Sequence, residues 1–170
     1  MVLKIARFVN LLLAGLLTGN EFGTWAAVHP ALGKLPVAER IRAEQEVTRR
    51  YAKIMPFWMS SVIALCLPVL ALTRDLRRSA TFFFTLASTV CFVAMLISTL
   101  LGNVPINNRV LELSPENDSE EFLRLRERWD RLHAFRVLLN VAGLVLLCLR
   151  EVRTPPAPPP LQTFVTSLRL

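Results

Sequence analysis

The chain has 170 residues, 53% of them hydrophobic, with a mean hydropathy of +0.44 and a formal net charge of +7. So apolar a composition leaves no room for a soluble domain beside the long apolar runs, and the basic residues flank those runs, which fits membrane topology rather than nucleic-acid binding. The three cysteines, Cys66, Cys91 and Cys148, lie far apart with no Cys-x-x-Cys pair, which excludes a disulfide framework and a thiol redox motif and leaves them as small packing residues.

A spanning helix needs about 20 mostly apolar residues to cross a hydrocarbon core of roughly 30 Å. Four stretches meet this length or come near it, at 5–27, 54–73, 79–102 and 132–149. The expected fold is an all-α integral membrane four-helix bundle, with an amphipathic loop helix and a helical extension on one side. One transmembrane domain takes up residues 1–153, and 154–170 form a Pro-rich flexible tail.

The first stretch follows Lys4 and Arg7, as the apolar core of a signal peptide would. It lacks a small-x-small cleavage pattern and carries Asn10, Asn20 and Glu21, so it reads as a retained span. The segment 28–53 starts with His29-Pro30, read as the beginning of a loop. Beyond Pro36, the apolar positions Ala38, Ile41, Ala43 and Val47 alternate with a charged face. That pattern predicts an amphipathic helix that caps the bundle. The second span opens at Met55-Pro56. The turn 74–78 is strongly basic, with Arg74, Arg77 and Arg78.

The third span, the most apolar, ends at Gly102. The segment 104–131 is read as an irregular Pro-Ile-Asn-Asn stretch, a turn at 114–118 and a charged helix from about Ser119. Glu120 and Glu121 suit the first turn of that helix, which is expected to run straight into the fourth span. Short basic flanks weigh most in membrane orientation, so the turn 74–78 and both termini are expected in the cytoplasm.

The polar residues of the spans gather at the other side. Asn20, Glu21 and His29 lie at the end of the first span, and Asn103, Asn107 and Asn108 at the end of the third. In the fourth, Trp129, His133, Arg136 and Asn140 are spaced by four, three and four residues and therefore share one helical face. Ionisable groups this deep face the bundle interior. Glu21 and Arg136 have opposite charge and similar depth, so they are expected to pair. Such groups can also serve only to hold helices together, and Trp129 can be an interfacial anchor.

No metal site is expected, because Glu21, His29 and His133 follow no compact ligand spacing; a metal or haem between the histidines stays open. No serine triad, P-loop or dinucleotide fingerprint is present.

At these residues the sequence resembles the anthrone-oxygenase-like family, a membrane family formerly of unknown function. The most specific part is Gly102-Asn103-Val104-Pro105-Ile106-Asn107-Asn108-Arg109, followed by Trp129…His133…Arg136; His29-Pro30 and Met55-Pro56 are weaker. The resemblance runs over about 9–149 and implies a four-helix membrane bundle. Some fungal members are associated with oxidising anthrones to anthraquinones, and an anthrone's electron-rich enolate can react with oxygen without a cofactor.

Carried to this chain, the resemblance implies His133 as general base and Arg136, or else the amides of Asn103 and Asn107, as oxyanion stabiliser, with His133 and Arg136 the catalytic candidates. Asn103, Asn107, Trp129, Glu21 and Asn140 become the substrate-binding candidates, with Trp129 stacking on a flat ring. His29, placed at the membrane boundary without a partner, is expected to matter little. The competing function is a non-enzymatic membrane module that binds a lipid, a small hydrophobic molecule or another membrane protein.

Overall fold

The computed structural model describes residues 2–73 and 80–153. The basic turn 74–78, the start of the third span at Ser79 and the Pro-rich tail 154–170 lie outside the described residues. Four continuous helical rods are long and apolar enough to cross a membrane: Val2–Leu32, Val37–Leu72, Ala80–Glu112 and Ser119–Arg153. The protein is an all-α integral membrane four-helix bundle. Its elements are α1 (Val2–Gly23), a π turn (Thr24–Val28), α2 (His29–Leu32), α3 (Val37–Leu72), α4 (Ala80–Ser98), a second π turn (Thr99–Asn103), α5 (Val104–Glu112) and α6 (Ser119–Arg153). The rods run up and down, and α1, α3, α4 and α6 each pack against two neighbours around a ring.

The rods are longer than the spans read from sequence. The 36 residues of α3 extend about 54 Å at 1.5 Å per residue, well beyond the hydrocarbon core. The amphipathic loop helix is therefore not separate; it is the first half of α3, and Pro56 and Pro68 sit inside the rod. Each proline removes one backbone hydrogen bond, a loss that packing of the rod against neighbouring helices tolerates. The helical extension before the fourth span is likewise the first half of α6, as its sequence implied.

Two stretches read as irregular are helical. His29-Pro30 and Val104-Pro105 both follow a π turn, and each proline stands in the first turn of a short helix. There its missing N–H is no defect. The π turn takes up the extra residue, so the rod continues through the proline without ending. Thr24 and Thr99 each donate a side-chain hydrogen bond to the carbonyl four residues back, at 2.7 and 2.8 Å.

Two apolar clusters stack along the bundle. In the membrane, Ala14 and Leu17 of α1, Met59, Val62 and Cys66 of α3, Phe92 and Met95 of α4, and Leu147 of α6 form the core. Beyond it, Ile41 of α3 packs with Ile106 and Val110 of α5, Leu113, and Phe122 and Trp129 of α6. The first half of α3 thus caps the bundle. Gln45 fixes the cap by donating to the carbonyls of Val110 and Leu113, both at 3.0 Å, at the end of α5. The first half of α3 is thereby tied to the C-terminal end of α5.

α4 and α6 approach each other closely in the core. A Cβ on Gly143 would stand 2.9 Å from the ring of Phe92, and Ser88 donates to the Gly143 carbonyl at 2.9 Å. Gly19 has open space at the same position. Gly143→Ala is expected to destabilise the bundle by about 1–3 kcal/mol through overpacking. Gly19→Ala is expected to leave thermal unfolding in detergent within about 0.5 kcal/mol of the wild type. Equal unfolding midpoints for the two variants would refute the close α4–α6 contact.

Candidate functional site

Between the two apolar clusters lies a buried polar layer. α6 supplies Trp129, His133, Arg136 and Asn140, all buried on one face as their spacing predicts. α1 supplies Glu21, the second π turn supplies Asn103, α2 supplies His29 and α3 supplies Glu44. His29 directly follows the first π turn and Asn103 closes the second, and both are buried at this level.

Charge pairing organises the layer. Arg136 Nη2 lies 2.8 Å from Glu21 Oε2, so the pair expected from sequence is present. The two side chains are almost wholly enclosed, and a buried charge of this kind persists only beside its opposite. The same Nη2 lies 2.8 Å from His133 Nδ1, while Glu21 Oε2 lies 3.4 Å from that nitrogen. A guanidinium can only donate, so at the shorter distance His133 Nδ1 accepts and the proton of the neutral ring is on Nε2. This bond occupies the lone pair that a general base at Nδ1 needs, and it presents His133 as a donor.

His29 corrects the sequence reading. It is not at a boundary without a partner: the ring is buried, and its Nδ1 lies 3.1 Å from Glu44 Oε1. Its ring centroid is 4.6 Å from Trp129 and 5.7 Å from His133. Glu44, which the sequence reading left on a charged outer face, is 2% exposed and also receives Arg126 Nη1 at 3.1 Å. No signal within the segment 37–53 alone marks Glu44, because its partners come from α2 and α6.

The binding candidates divide in the structure. Asn103 is fully buried and donates weakly to the Trp129 carbonyl at 3.5 Å. Asn140 Nδ2 donates to the Arg136 carbonyl at 3.0 Å. Asn107 is in α5, where its Oδ1 accepts from Trp129 Nε1 at 2.7 Å. Trp129 is not open for stacking: the Arg126 guanidinium lies over its ring at 3.8 Å, and the His133 ring is 4.5 Å away. Glu44, Asn107, Arg126 and Trp129 line a narrow cleft in the cap, with room on the order of one water molecule.

Among the described residues, the buried side-chain atoms without a hydrogen-bond partner concentrate here. They include Glu21 Oε2 (close to Arg136 but poorly aligned), Asn103 Oδ1, His133 Nε2, Arg136 Nε and Asn140 Oδ1. Buried polar groups are nearly always satisfied, so this concentration sets the layer apart from the rest of the buried interior. No group of three or more His, Cys, Asp or Glu side chains among the described residues is arranged to hold a metal ion.

A second polar cluster, which the sequence reading missed, sits at the opposite end. Arg150, fully buried, donates to Glu151, Asn10 Oδ1, Thr85 Oγ1 and the Arg7 carbonyl, and Arg7 bonds Glu151 through Nε and Nη2. Asn10 in the first span was its only sequence signal.

The family model described as anthrone oxygenase matches residues 45–146. The chain belongs to the anthrone oxygenase family. The match runs from the first half of α3 through most of α6, so it includes Asn103, Asn107, Trp129, His133, Arg136 and Asn140 and stops short of Glu21, His29 and Glu44. No curated protein and no solved structure matches the chain. Family membership and the buried polar layer thus coincide on α6.

Breaking the Glu21–Arg136 pair from one side leaves a buried charge unpaired. Arg136→Leu alone is expected to cost about 3–5 kcal/mol, and adding Glu21→Gln should recover more than about 1 kcal/mol of it. A double-mutant cycle on detergent-purified protein measures this coupling, and a value near zero would reject the pair.

Proposed function

We propose that this protein oxidises a hydrophobic, enolisable aromatic ketone with molecular oxygen, in the polar layer around His133 and Arg136. The observation that carries this function is the unpartnered Nε2–H of His133, buried beside a guanidinium whose charge Glu21 balances. A fixed donor next to a paired cation, shielded from water, is suited to stabilising an enolate oxygen. Asn103 and Asn140 add amide groups whose oxygens are not engaged.

The chemistry closes without another redox partner. Loss of a proton from the acidic carbon leaves an electron pair shared with the carbonyl oxygen, where His133 and Arg136 hold the charge. The carbon of this enolate adds molecular oxygen and, with a proton, becomes a hydroperoxide. Removal of the remaining C–H proton breaks the O–O bond, forms the new carbonyl and releases water. The substrate is oxidised by two C–H bonds and one oxygen molecule is consumed.

A flat apolar substrate partitions into the bilayer and enters laterally. The two π turns lie beside the polar layer, and π turns recur at functional sites. Entry displaces side chains that now stack on Trp129. Both termini are assigned to the cytoplasm, on the strength of Arg74, Arg77 and Arg78 in the short turn. A cysteine placed at Asn117 should then react with an impermeant reagent from outside intact cells and one at Asp75 should not; the reverse labelling would invert the orientation.

Oxygen uptake by the purified protein with a panel of enolisable aromatic ketones, anthrone among them, tests the reaction. His133→Ala is expected to lower turnover by about 100- to 1,000-fold, the usual loss for an oxyanion donor. His133→Asn, which keeps an N–H donor, should recover at least tenfold of that loss. An Asn variant as inactive as the Ala variant would make His133 a base instead. No uptake by the wild type with any ketone would favour the non-enzymatic binding module.

A further inference from the structure

We propose that His29 is the catalytic base of this site and that Glu44 positions it. The inference rests on the oxygenase function proposed above and assigns the proton-accepting step, which His133 in its present bonding does not perform.

The two imidazoles are held in opposite tautomers by opposite partners. Arg136 donates to Nδ1 of His133, so that ring carries its proton on Nε2. Glu44 is a carboxylate flanked by Arg126 Nη1 at 3.1 Å and Arg40 Nε at 3.9 Å. Ionised, it can only accept, so His29 Nδ1 donates to it across 3.1 Å. The proton of the His29 ring is therefore on Nδ1, and Nε2 keeps its lone pair. One ring is a hydrogen-bond donor and the other a proton acceptor. Their centroids are 5.7 Å apart, and both pack on Trp129.

The two rings now touch edge to face, so a substrate that offers its carbonyl to one and its acidic C–H to the other parts them on entry. In the step proposed, the C–H bond breaks and its electron pair stays on the substrate as the enolate. The proton goes to His29 Nε2, and the resulting imidazolium is stabilised through Nδ1–H by Glu44. A carboxylate that fixes the tautomer and balances the imidazolium is the same division of labour as in a serine triad. Glu44 also lines the cleft in the cap with Asn107 and Arg126, so the proton has a short route to water at that face.

The charged and titratable groups around His29 are Glu21 from α1, Arg40 and Glu44 from α3, and Arg126 and His133 from α6. Glu44 is the one in hydrogen-bond contact with the ring.

The test separates proton abstraction from oxidation. Full-length protein in detergent is incubated with anthrone in deuterated water without oxygen, and deuterium incorporation at the acidic carbon is followed by mass spectrometry. The wild type should exchange faster than buffer. His29→Gln, which keeps a polar side chain but accepts no proton near neutral pH, should lose about 100-fold or more of that rate. Glu44→Gln should lose about tenfold and shift the acid limb of the pH–exchange profile, and Glu44→Asp should restore part of both. A merely structural role for Glu44 would lower the amount of folded protein without moving the profile.

Each variant is compared at equal amounts of monodisperse protein, and His29→Asn serves if His29→Gln does not fold. Exchange by both His29 variants within threefold of the wild type would overturn the proposal while leaving the oxygenase function standing. Wild-type protein that neither exchanges deuterium nor consumes oxygen with anthrone and the ketone panel would overturn both.

Discussion

A charge inside a bilayer must bring its counter-charge with it, and the pairing of Glu21 with Arg136 shows how much follows from that. An isolated guanidinium at this depth costs several kcal/mol, so α1 and α6 are held together at this level by the need to neutralise each other. Once the guanidinium is fixed, the third group in contact with it has little choice: His133 accepts at Nδ1 because its neighbour can only donate. Its other nitrogen then becomes a donor in a space with few competing acceptors. One ion pair thereby fixes a helix contact, a tautomer and the polarity of the site.

The helix distortions put the remaining polar groups within reach. α1 and α4 each pass through a π turn that begins with a threonine and is followed by a proline six residues after it, Thr24 to Pro30 and Thr99 to Pro105. α3 and α6 pass the same level as continuous helices. The distorted rods bring in His29 and Asn103, both buried, while the continuous ones carry Glu44 and Trp129 up into the cap. Glu21, before the first π turn, and the α6 face line this space from regular helix.

The two ends of the bundle show two uses of buried polarity. At the far end Arg150 is fully enclosed, and every side-chain nitrogen of its guanidinium group meets an oxygen of Glu151, Asn10, Thr85 or the Arg7 backbone. A network so completely satisfied rigidifies a structure. Around His133 the pairing of charges is equally strict, yet neutral donors and acceptors on His133, Asn103 and Asn140 have no protein partner. The difference lies in satisfaction rather than in burial, and it is the physical ground for reading one cluster as a clamp and the other as a site.

Length, hydropathy and spacing determined the four spans, their alternating direction and the shared face of Trp129, His133, Arg136 and Asn140, because a bilayer sets the minimum helix length and a helix imposes period. The opposite charges of Glu21 and Arg136 at equal depth made their contact legible too. The partner of His29 was not legible, since a proline after a histidine reads as the end of a helix unless a π turn has already absorbed the extra residue. Nor was the burial of Glu44, which looks like any residue on the charged side of an amphipathic helix until α2 and α6 close over it. Those facts depend on which helices meet and at what rotation, and only the tertiary packing decides that.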